Sequence, residues 1–258
     1  MLYLIYIVAG LGAGIVTGLA GLSAAVVITP LLVSACGWDS YDATTIALAS
    51  DVLASLLTAY TYAKNKNIDI KNGCLVGFIA LIGTIVGSYC GYLFNQSQPN
   101  GLGFIAMATT IGLGIKFLFK PINGGIDGQD DTQQIHQNKI FLAMICGLFI
   151  GWICGFTGSG GGVLMLSVFT LLIGYSLKVA VGTSTLIMSC VALVGTLSHL
   201  SIGASVDMLA MMVIVFTCLI GALVAAKFAN KCDIIKLNKV IGIVLMILGI
   251  FTLTMKLI

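Results

Sequence analysis

Residues 155–162 read Gly-Phe-Thr-Gly-Ser-Gly-Gly-Gly and interrupt an otherwise apolar stretch that runs from about residue 139 to residue 175. One continuous helix over such a stretch would be about 52 Å long, whereas the hydrocarbon core of a bilayer is about 30 Å thick. The stretch must therefore bend, and glycine with small polar residues marks the bend. A second long stretch, at about 2–36, carries Gly-Leu-Ala-Gly-Leu-Ser at 18–23. We name 18–23 the first bend and 155–162 the second bend.

The composition makes a bilayer the relevant solvent. Of the 258 residues, 59% are hydrophobic and only 8% are charged, namely 12 Lys and 9 Asp with no Arg or Glu. A soluble domain carries about 25% charged residues. The apolar stretches fall at about 2–36, 43–63, 73–94, 101–119, 139–175, 179–200, 208–229 and 239–257. We therefore expect an all-α integral membrane protein with eight membrane segments, or up to ten if both arms of each bent stretch cross.

The two halves of the chain resemble each other. At an offset of 137 residues, six positions of the first half match the second half: Gly10, Gly14, Gly18, Gly21, Val26 and Gly37 match Gly147, Gly151, Gly155, Gly158, Val163 and Gly174. Further matches follow after a one-residue shift, including Thr45 with Thr183 and Asp69 with Asp207. The sequence therefore predicts a membrane repeat at 1–119, a polar linker at 120–138 and a second repeat at 139–258.

Lysine predicts that the two repeats are inverted, because lysine accumulates in cytoplasmic loops. The loop after the second stretch is flanked by Lys64, Lys66 and Lys71, while its counterpart at 201–207 has none. One loop later the pattern is reversed: 95–100 has no lysine, and its counterpart holds Lys231 and Lys236. We expect the N-terminus outside and the 120–138 linker in the cytoplasm. The first stretch has no basic segment before it, so we interpret it as a membrane segment and not as a cleaved signal peptide.

The bends are the candidate substrate site, because irregular backbone inside a membrane is tolerated where it lines a cavity or is buried in protein. A helix that begins near Gly161 would present free amides and a partial positive charge to an anion, without Lys or Arg. The candidate substrate-binding residues are Gly21, Ser23, Thr45, Thr157, Gly158, Ser159, Gly160, Gly161, Gly162, Thr183 and Ser184. A simple turn without a ligand is the alternative, and the threonines of 44–45 and 183–185 could instead cap helices.

Two ionisable residues are candidate coupling groups. Asp51 lies in the middle of an apolar stretch, where a charge is costly, so it could carry a proton during transport. Its structural alternative is a neutral acid bonded to Ser50, Ser55 or another helix. His199 lies at the end of the sixth stretch, where we expect an aqueous interface; it could titrate there or serve as an interfacial anchor. The glycine ladders, such as Gly10, Gly14 and Gly18, are interpreted as helix-packing surfaces.

Several function classes are excluded. The chain has no phosphate-binding loop and no nucleophile with a base, so it lacks the parts of an ATP-driven pump or a hydrolase. Its eight cysteines form no Cys-x-x-Cys pair, and it has two histidines, so we expect neither a metal nor another cofactor. Single lysines spread among loops do not form a nucleic-acid surface. The expected partners are the lipid bilayer and a small anion, with a homodimer left open.

The second half resembles the repeat of the TauE/SafE family of sulfite exporters. Three motifs carry the resemblance: Gly160-Gly161-Gly162, Ala180-Val181-Gly182-Thr183-Ser184, and the exit Gly203-Ala204-Ser205-Val206-Asp207, which is one residue longer than the family pattern. The first half departs from it, with Ser23-Ala24-Ala25 in place of a glycine triplet before Pro30. The resemblance covers essentially the whole chain, since the first half is the other copy.

The resemblance implies a secondary transporter that exports sulfite or an organosulfonate such as sulfoacetate from the cytoplasm. A cell interior that is negative favours expulsion of an anion by about 2.3 kcal/mol per charge per 100 mV, so ATP is not needed. Uptake or proton-coupled transport of another small anion remains open if Asp51 binds a proton. A membrane scaffold without transport is the alternative from another class.

Overall fold

The computed structural model describes residues 2–99, 101–119, 137–159, 161–229, 242–243, 245–252 and 254. The named elements in this part of the chain are all helices: α1 Leu2–Ala20, α2 Ala25–Ala35, α3 Ser40–Lys64, α4 Ile70–Ser97, α5 Gly101–Phe119, α6 Gln137–Thr157, α7 Gly161–Ser167, α8 Leu177–Ile202 and α9 Met208–Ala229. A π-helical turn, Val168–Ile173, continues α7. The expected all-α architecture is confirmed. Most of the predicted linker, 120–136, and much of the last apolar stretch lie outside the described residues.

Among the described residues, six helices are long and apolar enough to cross a membrane: α1, α3, α4, α6, α8 and α9. Their outer faces are apolar, with exposed side chains such as Phe78, Phe216 and Leu209. In water these side chains would cost free energy, whereas lipid solvates them. The chain is therefore an integral membrane protein. The arms that follow the two bends, α2 and the segment Leu164–Ile173, are shorter apolar helices.

Glycine ladders join the two halves of the chain. α1 packs against α9, and α6 packs against α4. A Cβ at Gly14 would lie 2.0 Å from the Cys218 carbonyl oxygen, and a Cβ at Gly151 would lie 2.0 Å from the Ala80 carbonyl oxygen. Such contacts are possible only for glycine, so the helix backbones touch. This confirms the interpretation of these glycines as packing residues.

α3 and α8 pack against each other near the centre of the bundle and run in opposite directions. The ring of Tyr41, at the start of α3, stacks on the ring of His199, near the end of α8, with centroids 4.1 Å apart. At the other end of this pair, the backbone N–H of Asp69, just after α3, donates to Thr183 near the start of α8 over 3.0 Å. The two contacts fix the antiparallel orientation.

The loops gather at two ends of the molecule. At one end, the rings of Tyr6 and Trp38 are in contact, Asn95 donates to Asp39, and the backbone N–H of Ser205 donates to Asp42 over 2.8 Å. At the other end, the α3–α4 loop meets the α7–α8 loop, where Tyr175 donates to Asp69. The lysines Lys64, Lys66, Lys71 and Lys178 lie near this second end.

Candidate functional site

The two bends meet in the buried centre of the molecule. The Ser23 hydroxyl, 2% exposed, lies 3.0 Å from the carbonyl oxygen of Gly158. Gly162 is equally close to the first bend, since a Cβ there would lie 2.4 Å from the Gly21 carbonyl oxygen. Residues separated by more than 130 positions in the chain therefore form one site. The sequence predicted both bends, and the structure brings them into contact.

Both bends turn at a glycine in the left-handed region. Gly21 and Gly158 each have φ of +65°, which costs a residue with a side chain about 1–2 kcal/mol. Each of them also faces a helix of the opposite half. A Cβ at Gly158 would meet the Thr44 methyl group at 2.3 Å, and one at Gly21 would meet the Thr185 methyl group at 3.1 Å. The bends are therefore held between α3 and α8.

Asp51 belongs to α3, and its carboxyl group lies at the start of α2. Its carboxyl group is fully buried, accepts the backbone N–H of Ala24 over 2.6 Å, and lies 2.5 Å from the Ser23 hydroxyl. A side-chain carboxyl thus occupies the place that an external anion would take at this helix N-terminus. Of the alternatives Ser50, Ser55 or another helix, the structure shows bonding outside α3: the partners Ser23 and Ala24 belong to the first bend and the start of α2. The Ser50 hydroxyl donates instead to the Ile46 carbonyl oxygen of its own helix.

The second bend has a different chemistry, because it supplies hydroxyl groups. The side chains of Thr157 and Ser159 are buried, and their hydroxyl oxygens lie 3.3 Å apart. The Thr157 hydroxyl also accepts the backbone N–H of Ser159 over 3.2 Å. Gly161 borders the sulfur atoms of Met188 and Cys154, at 3.0 and 3.1 Å from the position of a Cβ. Gly160 lies outside the described residues. The two bends are therefore unequal: the Ser23 hydroxyl of the first bend lies beside the Asp51 carboxyl group, whereas the second bend supplies two hydroxyl groups.

His199 is fully buried, so the expectation of an aqueous interface was wrong. Nε2 lies 2.9 Å from the carbonyl oxygen of Gly155, and Nδ1 lies 3.0 Å from the Thr45 hydroxyl. A carbonyl only accepts, so Nε2 carries a hydrogen. The Thr45 hydroxyl has one hydrogen, for which the Tyr41 carbonyl oxygen at 2.8 Å and the Nδ1 of a neutral ring compete. The position was misjudged because α8 continues to Ile202 and Tyr41 covers the ring. The histidine links α3 to the second bend.

The hydroxyl residues of α3 and α8 do not cap these helices. Asp39 caps α3, and Thr44 and Thr45 donate to the carbonyl oxygens four residues earlier, as Thr185 does in α8. Ser184 borders Gly21, with its oxygen 4.0 Å from the position of a Cβ there. The alternative of a capping role is excluded for Thr44 and Thr45, which lie beside the second bend and His199.

Thr183 is the predicted site residue that the structure places elsewhere. Its hydroxyl accepts the backbone N–H of Asp69, beside a hydrogen bond of 2.5 Å from the Tyr175 hydroxyl to the Asp69 carboxyl. Asn72 donates to Asp69 over 2.7 Å and to Tyr175 over 3.3 Å. We name Asp69, Asn72, Tyr175 and Thr183 the loop network. Sequence reasoning missed it, although the pairing of Asp69 with Asp207 in the repeats marked one member.

The charge of Asp69 depends on this network. Burial alone would raise the pKa of its carboxyl group, but the hydrogen bonds from Tyr175 and Asn72 outweigh it, so the pKa lies below its ordinary value. The ionised form is therefore the one that the network stabilises.

In the part of the chain that the structure describes, no group of three or more His, Cys, Asp or Glu residues could hold a metal.

Comparison with known proteins agrees with this architecture. The family described as "Sulfite exporter TauE/SafE" matches residues 6–252. The chain is similar to "Probable membrane transporter protein YunE" of Bacillus subtilis (strain 168), with 28% identity over 96% of each chain. It is also similar to "Probable membrane transporter protein YdhB" of the same organism, with 24% identity over 93% of this chain and 96% of the relative.

A third relative comes from an archaeon. "Probable membrane transporter protein MJ0441" of Methanocaldococcus jannaschii is 22% identical over 96% of this chain and 94% of its own length. No solved structure matches the chain. Since the family match spans nearly the whole sequence and the relatives are matched over nearly their full lengths, the chain belongs to the TauE/SafE sulfite exporter family of membrane transporters.

Proposed function

We propose that the protein is a secondary transporter that exports a small sulfur-containing anion, sulfite or an organosulfonate such as sulfoacetate, across the cytoplasmic membrane. The observation that carries the proposal is the contact of the two bends, where Ser23 and Gly158 lie 3.0 Å apart in the buried centre. Transporters built from repeats bind substrate where discontinuous helices meet near the midplane of the bilayer. Family membership adds sulfite as the first solute to test.

The packing of the helices supports an inverted repeat. If α1, α3 and α4 are matched with α6, α8 and α9, the pairs α1–α9 and α6–α4 exchange, and the α3–α8 pair maps onto itself. The antiparallel α3 and α8 fit a two-fold axis in the membrane plane. α2, with 11 residues, is about 16 Å long, or about half of the hydrocarbon core. That length favours bends near the midplane.

The distribution of lysine supports the proposed orientation. The lysine-bearing loops around Asp69 and Tyr175 lie together, and the loops around Asp39 and Ser205, which have no lysine, lie together at the other end. By the positive-inside rule the first group is cytoplasmic. Tyr6 contacts Trp38, at the end that has no lysine, and this contact supports an N-terminal helix start outside. The 120–138 linker is then cytoplasmic, and an inside-negative potential drives anions outward.

The anion would be held at the second bend by hydroxyl groups and backbone amides. Thr157 and Ser159 supply hydroxyls. Glycine at 161 and 162 lets the backbone of the second bend lie close to Cys154, Met188 and the first bend. Thr45, with His199 behind it, completes the hydroxyl set from α3. Asp51 and His199 are the proposed coupling groups. A proton on Asp51 would permit proton-coupled movement, and with it the alternative of uptake.

The test is efflux of labelled sulfite from proteoliposomes that contain only this chain, with and without an imposed potential. We expect saturable efflux that an inside-negative potential accelerates, with sulfoacetate as a competitor and sulfate as the comparison anion. Gly162→Ala should reduce the rate of sulfite efflux about tenfold, because overpacking by a methyl group at the contact between the two bends costs about 1–3 kcal/mol. Gly12→Ala is the control, since its Cβ would meet only Val27 at 3.6 Å. A folded protein that moves none of these anions would favour a scaffold.

A further inference from the structure

Two side chains of α5 reach across to the second half of the chain. Thr109 Oγ1 lies 3.4 Å from Ser159 Oγ at the second bend, and the Lys116 ammonium donates to Ser167 Oγ at the end of α7 over 3.2 Å. Between them is Gly112, an exposed residue at which a Cβ would have no atom within 4 Å, so the gap beside it opens to the surface. Residues 109, 112 and 116 have the i, i+3, i+7 spacing of one helix face. We name this gap the α5–α7 cleft.

Lys116 is an unusual lysine in this chain. It lies in the last turn of an apolar helix, is half-buried, and in the described part of the chain its hydrogen-bond partner is a hydroxyl and not a carboxylate. A lysine that merely snorkels would extend its ammonium to the lipid headgroups. Here the ammonium points across the cleft to the other half.

The cleft connects Lys116 with the second bend. Thr109 and Lys116 are seven positions apart, which corresponds to about 10 Å along α5. Ser159 is in contact with Thr109 at one end of this distance, and Ser167 is in contact with Lys116 at the other. The open space beside Gly112 lies between the two polar pairs. An anion at Lys116 is thus about two helical turns from the bend site.

We propose that the α5–α7 cleft is a second anion site, in which the Lys116 ammonium and the Ser167 hydroxyl bind a small oxyanion on its way to Ser159. The inference rests on the proposed transport function. Ammonium and hydroxyl groups donate charge-assisted hydrogen bonds to sulfite or sulfonate oxygens, and such bonds are about twice as strong as neutral ones. The last turn of α5 leads into the linker, so the site would serve anions that enter from the linker side.

The test compares variants by sulfite efflux and by the thermal stabilisation that sulfite gives the purified protein in detergent. Lys116→Gln should raise the half-saturating sulfite concentration about tenfold, as expected for a lost charged hydrogen bond of about 1.5 kcal/mol, and keep the rate at saturation. Lys116→Arg should restore most of the affinity. Lys178→Gln, which removes an exposed lysine at the start of α8, should change neither value.

A second variant keeps the lysine and fills the cleft. Gly112→Leu has space for its side chain. It should weaken sulfite binding to the same degree as Lys116→Gln, without lowering the melting temperature of the ligand-free protein. Unchanged affinity in Lys116→Gln, or an equal loss in Lys178→Gln, would overturn the site. If sulfite stabilises the wild type through Lys116 but no efflux occurs, the transport proposal fails and the site stands. If no oxyanion stabilises the wild type, the site itself is refuted.

Discussion

The Ser23 hydroxyl has one hydrogen and two acceptors, Asp51 at 2.5 Å and the Gly158 carbonyl oxygen at 3.0 Å. If Asp51 is ionised, the hydrogen goes to the carboxylate, and the contact with Gly158 lacks a hydrogen. If Asp51 is protonated, the acid can donate to Ser23, whose own hydrogen is then free for Gly158. The proton on Asp51 therefore decides whether a hydrogen bond joins the two bends.

This gives a prediction for Asp51→Asn. The amide group donates to Ser23 as the protonated acid does, and its oxygen still accepts the Ala24 N–H. The variant should therefore retain anion binding and lose the pH dependence of efflux of a sulfonate, whose own charge, unlike that of sulfite, does not change near neutral pH. The measurement is the efflux rate against pH, with equal pH on both sides. The thiols of Cys154 and Cys218 also lie near Asp51, so each should be replaced by Ala as a check.

Asp42→Asn is the matched control, because Asp42 lies in the same helix but at the end where it accepts the Ser205 N–H. Its pH profile should follow the wild type. If Asp51→Asn keeps the wild-type profile, Asp51 has no part in coupling, and the bend hydrogen bond is permanent.

At the residue scale, the sequence identified Asp51 as a candidate but did not identify the residues that bond it. The depth of Asp51 in an apolar stretch marked it, because a carboxyl group needs bonding partners there. The partners are Ser23 and Ala24, almost 30 positions away, and they depend on how the bend packs on α3. Likewise, the end of an apolar stretch suggested an exposed His199, but burial is decided by a neighbouring helix, and Tyr41 covers the ring.

At the scale of elements, the loop network ties the α3–α4 loop to the start of α8. Since the pKa of Asp69 is lowered in the folded protein, its contribution to stability is fully present above the pKa of an unfolded aspartate, about 3.9, and is lost as the pH falls through the folded pKa. Asp69→Asn should therefore destabilise the protein at pH 7, and this effect should shrink as the pH falls below about 3.9. Melting temperatures in detergent at several pH values measure this.

Two variants separate the cross-half bonds from helix capping. Tyr175→Phe removes the hydroxyl that donates to Asp69 and should cost about 1 kcal/mol at neutral pH. Asp207→Asn weakens only the cap of α9, where Asp207 accepts the Leu209 N–H. If Asp207→Asn and Asp69→Asn show the same pH profile, the network adds nothing beyond the cap.

The elements themselves were largely predictable. The break in the fifth stretch was placed at 155–162, and the structure ends α6 at Thr157 and starts α7 at Gly161. The glycines and the length of the stretch were enough for this prediction, since one helix over 139–175 would be longer than the hydrocarbon core is thick. The position of Thr183 was not predictable from its place in the repeat, because its partner belongs to a loop of the other half, and an offset within the sequence carries no information on that contact.

At the scale of the whole molecule, each half lacks its own packing partner. α1 and its glycines pack on α9, and α6 packs on α4, so the largest helix contacts join residues before the 120–138 linker with residues after it. Neither 1–119 nor 139–258 can bury its glycine ladder alone. The two predicted repeats are therefore units of sequence, while the folding unit is the pair.

We accordingly predict that a chain cut within the linker still assembles. When 1–126 and 127–258 are produced together in one cell, they should co-purify and restore sulfite efflux, whereas either half alone should be degraded or aggregate, because its ladder surface stays unpaired. Gly14→Ala in the first half should prevent co-purification, since its Cβ would lie 2.0 Å from the Cys218 carbonyl oxygen of the other half. Gly12→Ala, two residues away, should assemble normally. Halves that fold and purify separately, or that assemble equally well with Gly14→Ala, would contradict the pairing of α1 with α9.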